Sequence, residues 1–407
     1  MHYTIKYIAW IPVLFAPMKD STSTTVEIIV KAWSVYEDAR TNWLSHFLEH
    51  MFFKWWKKYT SPKVVVETIE ELWGEFNAFT WNDYAWYYVK AAPEHIFTAL
   101  DVLGDMMVHA AFPKEEVEKE KWVVIQEIKM YDDRPDAKVV EIWDRNYFGD
   151  NSFGRPIIWP EANVLAFTQK DLFDHKQQLY TKDNMLIVIA WSILDEARIT
   201  DTISTLFSTL PEKTTGNRPT YNNNHPKNKR DKISQWTHQN HLVFGGPWFG
   251  HDDKRYYAAK LLANIVWGTM SSRLFQEIRE KRWLCYYIWC SHQTQPSHGN
   301  FIIRAGLSKE NYEPGIEAIK QELIKIAQWN ITQIELDKAQ WNMLGKIQMG
   351  IETSDQMADF LGAQQLLYWE VKTLEDILAN YKKVTLADIQ SIAPMLHPDN
   401  LYGCTID

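Results

Sequence analysis

The chain has 407 residues, a length that favours two domains over one hydrophobic core. Its hydrophobic share of 46% and charged share of 23% are those of an ordinary globular protein, and a net charge of −9 argues against a nucleic-acid surface. The three cysteines, Cys285, Cys290 and Cys404, form no C-x-x-C pair and support neither a disulfide framework nor a thiolate zinc site, and no apolar run approaches the ~20 residues of a membrane span.

The opening MHYTIKYIAWIPVLFAPM has no basic region followed by a long apolar core, and Pro12 and Pro17 interrupt its apolar run. This predicts no signal peptide and a cytoplasmic protein, unless an export route without such a signal operates. HYTIKYI, IPVLFAP and TTVEIIVKA then read as strands. After HFLEHMFFKWWKKYT (residues 46–60), Ser61 and Pro62 open a helix with a capping hydroxyl and a proline at the first helical position. WYYVKAAPEHIFTALDVL, from Trp86, reads as a strand, a turn and an amphipathic helix, and EEVEKEKWVVIQEIKM as a strong helix. Thr168 and Asp171 make a capping-box-like start for another. Residues 213–234, KTTGNRPTYNNNHPKNKRDKIS, are polar and rich in Asn, Lys, Pro and Thr, which predicts a linker between domains 1–212 and 235–407.

The second half repeats the first. NFIIRAGLSKENYEPGIEAI, from Asn300, has the same strand–turn–helix order as the segment from Trp86. EKEKWVVIQEIKM, from Glu118, and DKAQWNMLGKIQM, from Asp337, coincide at four of thirteen positions. Grouped strands and several long helices in each half predict two duplicated α+β domains.

His46 and His50 are four residues apart, so on a helix both rings leave one face and can share one ion. Glu49 lies on the same side and can take a proton from a water held there. The order His-x-x-Glu-His is that of one group of zinc hydrolases. A catalytic zinc needs one more protein ligand, expected to be a carboxylate or imidazole on a rigid element. Glu120 and Glu127, two turns apart on one helix face, are carboxylates of this kind. In the repeat their positions are Ala339 and Lys346, and the second half has no His-x-x-Glu-His. The acidic pair therefore accompanies the histidines. His292, His298, His95 and His109 show no comparable pattern.

HFLEHMFF, EFNAFT (residues 75–80), EKEKWVVIQEI and SSRLFQEIREKRWLCYYI (residues 271–288) together resemble the insulinase/pitrilysin family of zinc metallopeptidases, which includes mitochondrial processing peptidase. The resemblance covers nearly the whole chain. It implies two domains, each a mostly antiparallel sheet packed with helices, and one zinc ion per chain held by His46, His50 and Glu127. Glu127 is selected because the family's third ligand stands 77 residues after the second histidine, as it does here. The resemblance further makes Glu49 the catalytic base and Glu120 a supporting carboxylate. Asn77, Ala78 and Phe79 become the segment that holds the substrate backbone. Arg279 and Tyr286 match a pair that binds the scissile carbonyl region, with Arg282 and Tyr287 close by in sequence. The implied function is an endopeptidase acting on peptides or unfolded segments, as a homodimer or as a heterodimer with a related subunit. The alternative is an inactive family member that binds peptide or scaffolds a partner, although such subunits usually lose zinc residues that this chain keeps.

Tryptophan is abundant at 20 and glycine scarce at 16, where about 28 glycines are ordinary for this length. Trp10, Trp33, Trp43, Trp55, Trp56, Trp73, Trp191, Trp267, Trp283 and Trp369 stand where local physics or the family pattern wants glycine, whereas Trp143 and Trp248 read as authentic. An indole is a poor replacement at a left-handed backbone position. This is the pattern expected when a gene that uses UGA for glycine is translated with UGA as tryptophan.

Overall fold

The computed structural model describes residues 2–32, 34–80, 84–149, 152–155, 161–192, 195–216, 225–227, 229–235 and 237–407. Trp33 lies outside the described residues. The elements in chain order begin with strands β1 (Thr4–Ile8), β2 (Ile11–Pro17) and β3 (Thr24–Val30), then helices α1 (Leu44–Phe52) and α2 (Pro62–Glu71). Strands β4 (Glu75–Thr80) and β5 (Ala85–Ala91) lead to α3 (Ile96–His109), α4 (Lys114–Asp132), α5 (Pro135–Phe148), α6 (Glu161–Ala166) and α7 (Gln169–Leu179). Next come β6 (Met185–Trp191), α8 (Glu196–Leu206), β7 (Lys229–Ile233), β8 (Asn240–Trp248) and α9 (Tyr256–Trp267). After a π-helix (Phe275–Glu280) the chain forms β9 (Cys285–Thr294), β10 (Gly299–Leu307), α10 (Tyr312–Ala327) and α11 (Gln333–Met349). It ends with α12 (Ser354–Tyr368), α13 (Leu374–Lys383), α14 (Leu386–Ile392) and β11 (Tyr402–Ile406). Among the described residues no single helix is long and apolar enough to cross a membrane.

The helix starts follow the local chemistry. Ser61 caps α2 by accepting from the Val64 N–H, with Pro62 at the first helical position, and Thr168 and Asp171 form a capping box at α7.

Two compact units each hold one sheet. The first has six strands in the order β1-β2-β6-β3-β5-β4, with β2 and β6 parallel and the other pairs antiparallel. The second has five in the order β7-β11-β8-β10-β9, with β7 and β11 parallel and the rest antiparallel. Matching β2, β6, β3, β5 and β4 to β7, β11, β8, β10 and β9 reproduces every neighbour and every direction, so the duplication read from the sequence is a duplication of topology. Both sheets are mostly antiparallel.

Both faces of each sheet are covered. In the first, alternate residues such as Ile187 and Ile189 of β6 pack with α1, α3 and α4, while Leu186, Val188 and Ala190 pack with Ala358, Leu361 and Leu366 of α12. Ser354 at the start of α12 shares hydroxyl hydrogen bonds of 2.8 Å with both Ser23 and Thr25. In the second unit α5 has the equivalent place: Val139, Trp143 and Tyr147 pack on Val243, Ile302 and Cys404, and the Trp143 indole donates to the Tyr402 carbonyl.

The units therefore interleave along the chain, as Met1–Met130, Ile157–Thr220 and Ile351–Val371 against Tyr131–Pro156, Tyr221–Gly350 and Lys372–Asp407. A single cut at residues 213–234 does not separate them, because α5 and α12 each bury their apolar face against the sheet of the other half of the sequence. The end of the expected linker is also a strand, β7, which takes the edge position beside β11.

The expected glycine-like positions divide. Trp10, Trp43, Trp73, Trp283 and Trp369 have φ between 51° and 82°, and Trp329, not singled out from sequence, joins them at 67°. Trp55, Trp56, Trp191 and Trp267 are not left-handed. Trp56 and Trp191 are buried in the first core, and the Trp56 indole donates to the Phe52 carbonyl.

Candidate metal centre

The centre lies in the first unit, between α1 and α4. In LSHFLEHMF, the residues Leu44, Phe47, Leu48, Met51 and Phe52 recur at helical spacing and are all buried, which leaves His46, Glu49 and His50 on the opposite face. The residue before α1, Trp43, has a left-handed backbone and no capping side-chain bond. Glu37 supplies the cap from a distance, accepting from the Trp43 N–H at 2.9 Å and the Ser45 N–H at 2.6 Å. Ser45 also hydrogen-bonds His175 at 2.8 Å, tying the first turn to α7.

Helix α4 buries Val117, Lys121, Val124, Ile125 and Ile128, and brings Glu120 and Glu127 to the histidines. Glu127 Oε2 is 3.2 Å from His46 Nε2 and 3.4 Å from His50 Nε2. One ligand atom from each of these three residues lies within 4.8 Å of the others, so they can hold one metal ion. Glu120 is almost fully buried and bonds His50 from behind, with Oε1 2.9 Å from Nδ1. Its other oxygen, Oε2, is 2.6 Å from the Lys54 ammonium. A ligating imidazole whose second nitrogen is held by a carboxylate is the usual arrangement at metal sites.

The electrostatics follow from the contacts. Hydrogen bonds from His46 and His50 hold the Glu127 carboxyl far below the usual carboxylate range. Burial pulls His50 down, but its bonds to Glu120 and Glu127 outweigh this and push it up to about 9. Burial raises Glu120, and its bonds to His50 and Lys54 reverse the shift and lower it. Burial raises Glu49, partly opposed by His46 and by a hydrogen bond from the Thr80 hydroxyl. Glu49 Oε2, 3.9 Å from His46 Nδ1, is buried and has no hydrogen-bond partner. Such an oxygen needs a proton donor, and a water beside the three ligands would supply one. The donor set of two imidazoles and a carboxylate, with an orphaned base next to it, fits zinc with an open position.

Strand β4 is the edge of the first sheet and alternates exposed and half-buried residues. Asn77 and Phe79 point outward, and Asn77 Oδ1 accepts from the Ala78 N–H at 2.9 Å. Ala78 is half-buried against the core. Thr80 ends the strand and reaches Glu49, so the edge strand and α1 are connected beside the two histidines. Lys54, Thr80 and Glu37 were not found from sequence. Lys54 had a usable signal, one turn beyond His50, and Glu37 had none.

Arg279 and Tyr286 belong to the second unit. Arg279 sits in the π-helix, its guanidinium 4.8 Å from the Phe275 ring centre. Tyr286 is the extra residue of a β-bulge: Tyr287 pairs with Gly306 and Cys285 with Leu307, which leaves Tyr286 unpaired and 78% exposed. Both irregularities insert one residue and re-aim a side chain, and both are frequent at functional sites. Tyr287, by contrast, is bonded to His241 at 2.9 Å. In this unit the counterpart of the α1–α4 contact is α9 against α11, and it carries no imidazole–carboxylate pair. Asn264 donates to Asn342 at 2.9 Å, and Lys346, at the position matching Glu127, donates to the Gly268 carbonyl.

Residues 13–161 match the model of the insulinase peptidase family M16, and residues 166–343 that of the peptidase M16 inactive domain. An uncharacterized zinc protease of Bacillus subtilis, YmxG, is 32% identical over 93% of this chain and 91% of its own. One from Rickettsia bellii is 29% identical over 94% of each. Among solved structures, a protease from Helicobacter pylori superposes with a TM-score of 0.91 at 19% identity, covering 100% of this chain and 99% of its own. A peptidase M16 inactive domain from Pseudomonas fluorescens gives 0.91 at 17% identity, covering 100% and 98%. The chain, with its inverted histidine–glutamate motif facing two carboxylates, belongs to the insulinase family of peptidases.

Proposed function

We propose that the protein is a zinc-dependent endopeptidase acting on peptides or unfolded protein segments. The observation that carries this reading is the buried, partnerless Glu49 Oε2 beside the three convergent ligand atoms. His46, His50 and Glu127 hold one zinc ion per chain, which supplies Lewis-acid polarisation of water and of the scissile carbonyl. Glu49 accepts a proton from the attacking water at Oε2 and returns it to the leaving amine. Burial, which raises Glu49, makes that return easier. Asn77, Ala78 and Phe79 seat an extended substrate as an added strand on the β4 edge, which among the described residues pairs with a strand on one side only. Arg279 donates to the carbonyl region as a fixed cation, and Tyr286 as a hydroxyl.

Three outcomes test the reading. Glu49→Gln retains zinc and loses roughly 10²–10⁴-fold in kcat on unfolded peptides. Glu127→Gln loses the metal itself, read by elemental analysis after dialysis, and a chelator abolishes cleavage by the parent chain. A chain that holds zinc yet cleaves no unfolded peptide would be a binding subunit instead.

Zinc affinity should depend on pH with a definite sign. The His50 proton, bound below about 9 in the metal-free site, must leave before Nε2 can ligate. Affinity therefore rises about tenfold per pH unit from neutrality, where one proton is displaced, and levels off above about 9; chelator competition at several pH values measures the slope.

On this reading Arg279 and Tyr286 act on the zinc site of a second chain, in a homodimer or a heterodimer with a related subunit. Mixing Glu49→Gln chains with Arg279→Ala chains then restores cleavage. Verified mixed dimers without activity would count against action across an interface.

A further inference from the structure

We propose that Lys54 is a positioning residue of the metal centre, the outer member of a Lys54–Glu120–His50 chain. The inference rests on the zinc reading above. Lys54 follows the last turn of α1, where its N–H still bonds the Met51 carbonyl at 3.2 Å. Its ammonium turns back to Glu120 Oε2 at 2.6 Å, while Glu120 Oε1 takes His50 Nδ1 at 2.9 Å. Each oxygen of a carboxylate only 5% exposed thus has one partner, and the two partners fix its plane. The plane of Glu120 in turn fixes the ring of His50, and so the direction of Nε2 toward the metal.

The segment behind Lys54 is held rather than loose. The Lys58 and Tyr59 N–H groups both donate to Asp105 of α3, and the Tyr59 hydroxyl donates to Asp101 at 2.7 Å. Formal charge points the same way. Glu49, Glu120 and Glu127 bring three negative charges to one centre; a divalent ion and Lys54 together bring three positive ones. Lys57 in the same segment is exposed, and the Lys58 ammonium pairs with Asp101, so neither is available to Glu120.

The test is zinc binding by competition with a chelating dye, on Lys54→Met, Lys54→Arg, Glu120→Gln and the Lys54→Met/Glu120→Gln pair. Lys54→Met weakens zinc roughly 10–100-fold, the range for removal of an outer-shell partner. Lys54→Arg recovers most of the loss, because a longer cation still reaches Glu120. In the Glu120→Gln background Lys54→Met adds little, because it acts through Glu120. Cobalt substitution gives a second readout: the visible spectrum shifts in Lys54→Met and returns in Lys54→Arg. If Lys54→Met fails to fold, Lys54→Gln takes its place. Parent-level zinc affinity in the folded neutral variant overturns the proposal, and so does an equal loss with and without Glu120. A parent chain that binds no zinc overturns the metal reading and this inference with it.

A second inference stands on the backbone alone. We infer that the protein made by its natural host carries glycine at positions 10, 43, 73, 283, 329 and 369. Among the described residues, eight non-glycine residues have positive φ; six are these tryptophans and none is Asn, Asp or His, the types ordinarily enriched there. Gly149 is the one glycine with positive φ among them.

The local motifs are those that select glycine. Ala9 and Trp10 form a two-residue hairpin loop between Ile8 and Ile11, both with positive φ, where the favoured pair ends in glycine. Trp73 ends α2 in a Schellman motif, its N–H bonded to the Glu70 carbonyl and that of Gly74 to the Ile69 carbonyl. Trp329 ends α10 the same way, through Ile326 and Lys325. Trp73 and Trp283 are 96% and 82% exposed, so their indoles gain little from packing. UGA read as glycine by the host would produce all six.

Peptide mass spectrometry of protein purified from the host, together with the gene's codons, decides it. Glycine encoded by UGA is expected at all six, and tryptophan encoded by UGG at Trp143. Tryptophan encoded by UGG at positions 73 and 283 overturns the inference.

Discussion

The contact between two imidazoles on α1 and two carboxylates on α4 is the interaction around which the first unit is arranged. A helix so apolar on one side must bury that side, and burial forces its polar face into the interior as well. Unpaired histidines and a glutamate there would be costly. Helix α4 removes the cost by presenting Glu120 and Glu127 at a two-turn spacing, and the sheet edge contributes Thr80. Glu127 then faces Nε2 of both histidines and Glu120 faces Nδ1 of His50, while Glu49 Oε2 stays buried without a hydrogen-bond partner. The site is thus a consequence of satisfying a buried polar face, with one acceptor deliberately left over.

The second unit shows what the same topology does without that demand. Its sheet repeats the strand order and directions of the first, yet α9 and α11 meet through an asparagine pair and apolar packing. Lys346, at the position matching Glu127, donates to the Gly268 carbonyl at the end of α9. The irregular backbone of this unit is concentrated elsewhere, in the π-helix bearing Arg279 and the bulge bearing Tyr286. One copy has kept regular helices and specialised their side chains; the other has departed from regular geometry at two places on and beside its edge strand.

Legibility in the sequence followed the range of the interactions. HFLEH was readable because helical spacing alone brings its three polar residues together. The strands, the capped helices and the duplication were readable for the same local reason. Glu127 needed a family spacing, since nothing within α4 distinguishes it from Glu120. Lys54 stands one turn beyond His50, but its reach to Glu120 on α4 is a tertiary contact that helical spacing alone does not declare. The partition of the chain into units was hidden more deeply. An amphipathic helix declares that it will bury a face, but α5 and α12 do not declare which sheet will cover it.

That partition bears on how the protein comes to exist. The outer face of the first sheet, including Leu14, Ile29 and Val188, is covered by a helix that begins at Ser354. During synthesis the amino-terminal half leaves the ribosome with that apolar face bare, and it stays bare until most of the chain has been made. Helix α5 has the opposite problem, emerging long before the strands it will cover. Maturation cannot proceed one half at a time from the amino terminus, because that sheet face gains its cover only once the segment beginning at Ser354 has been made.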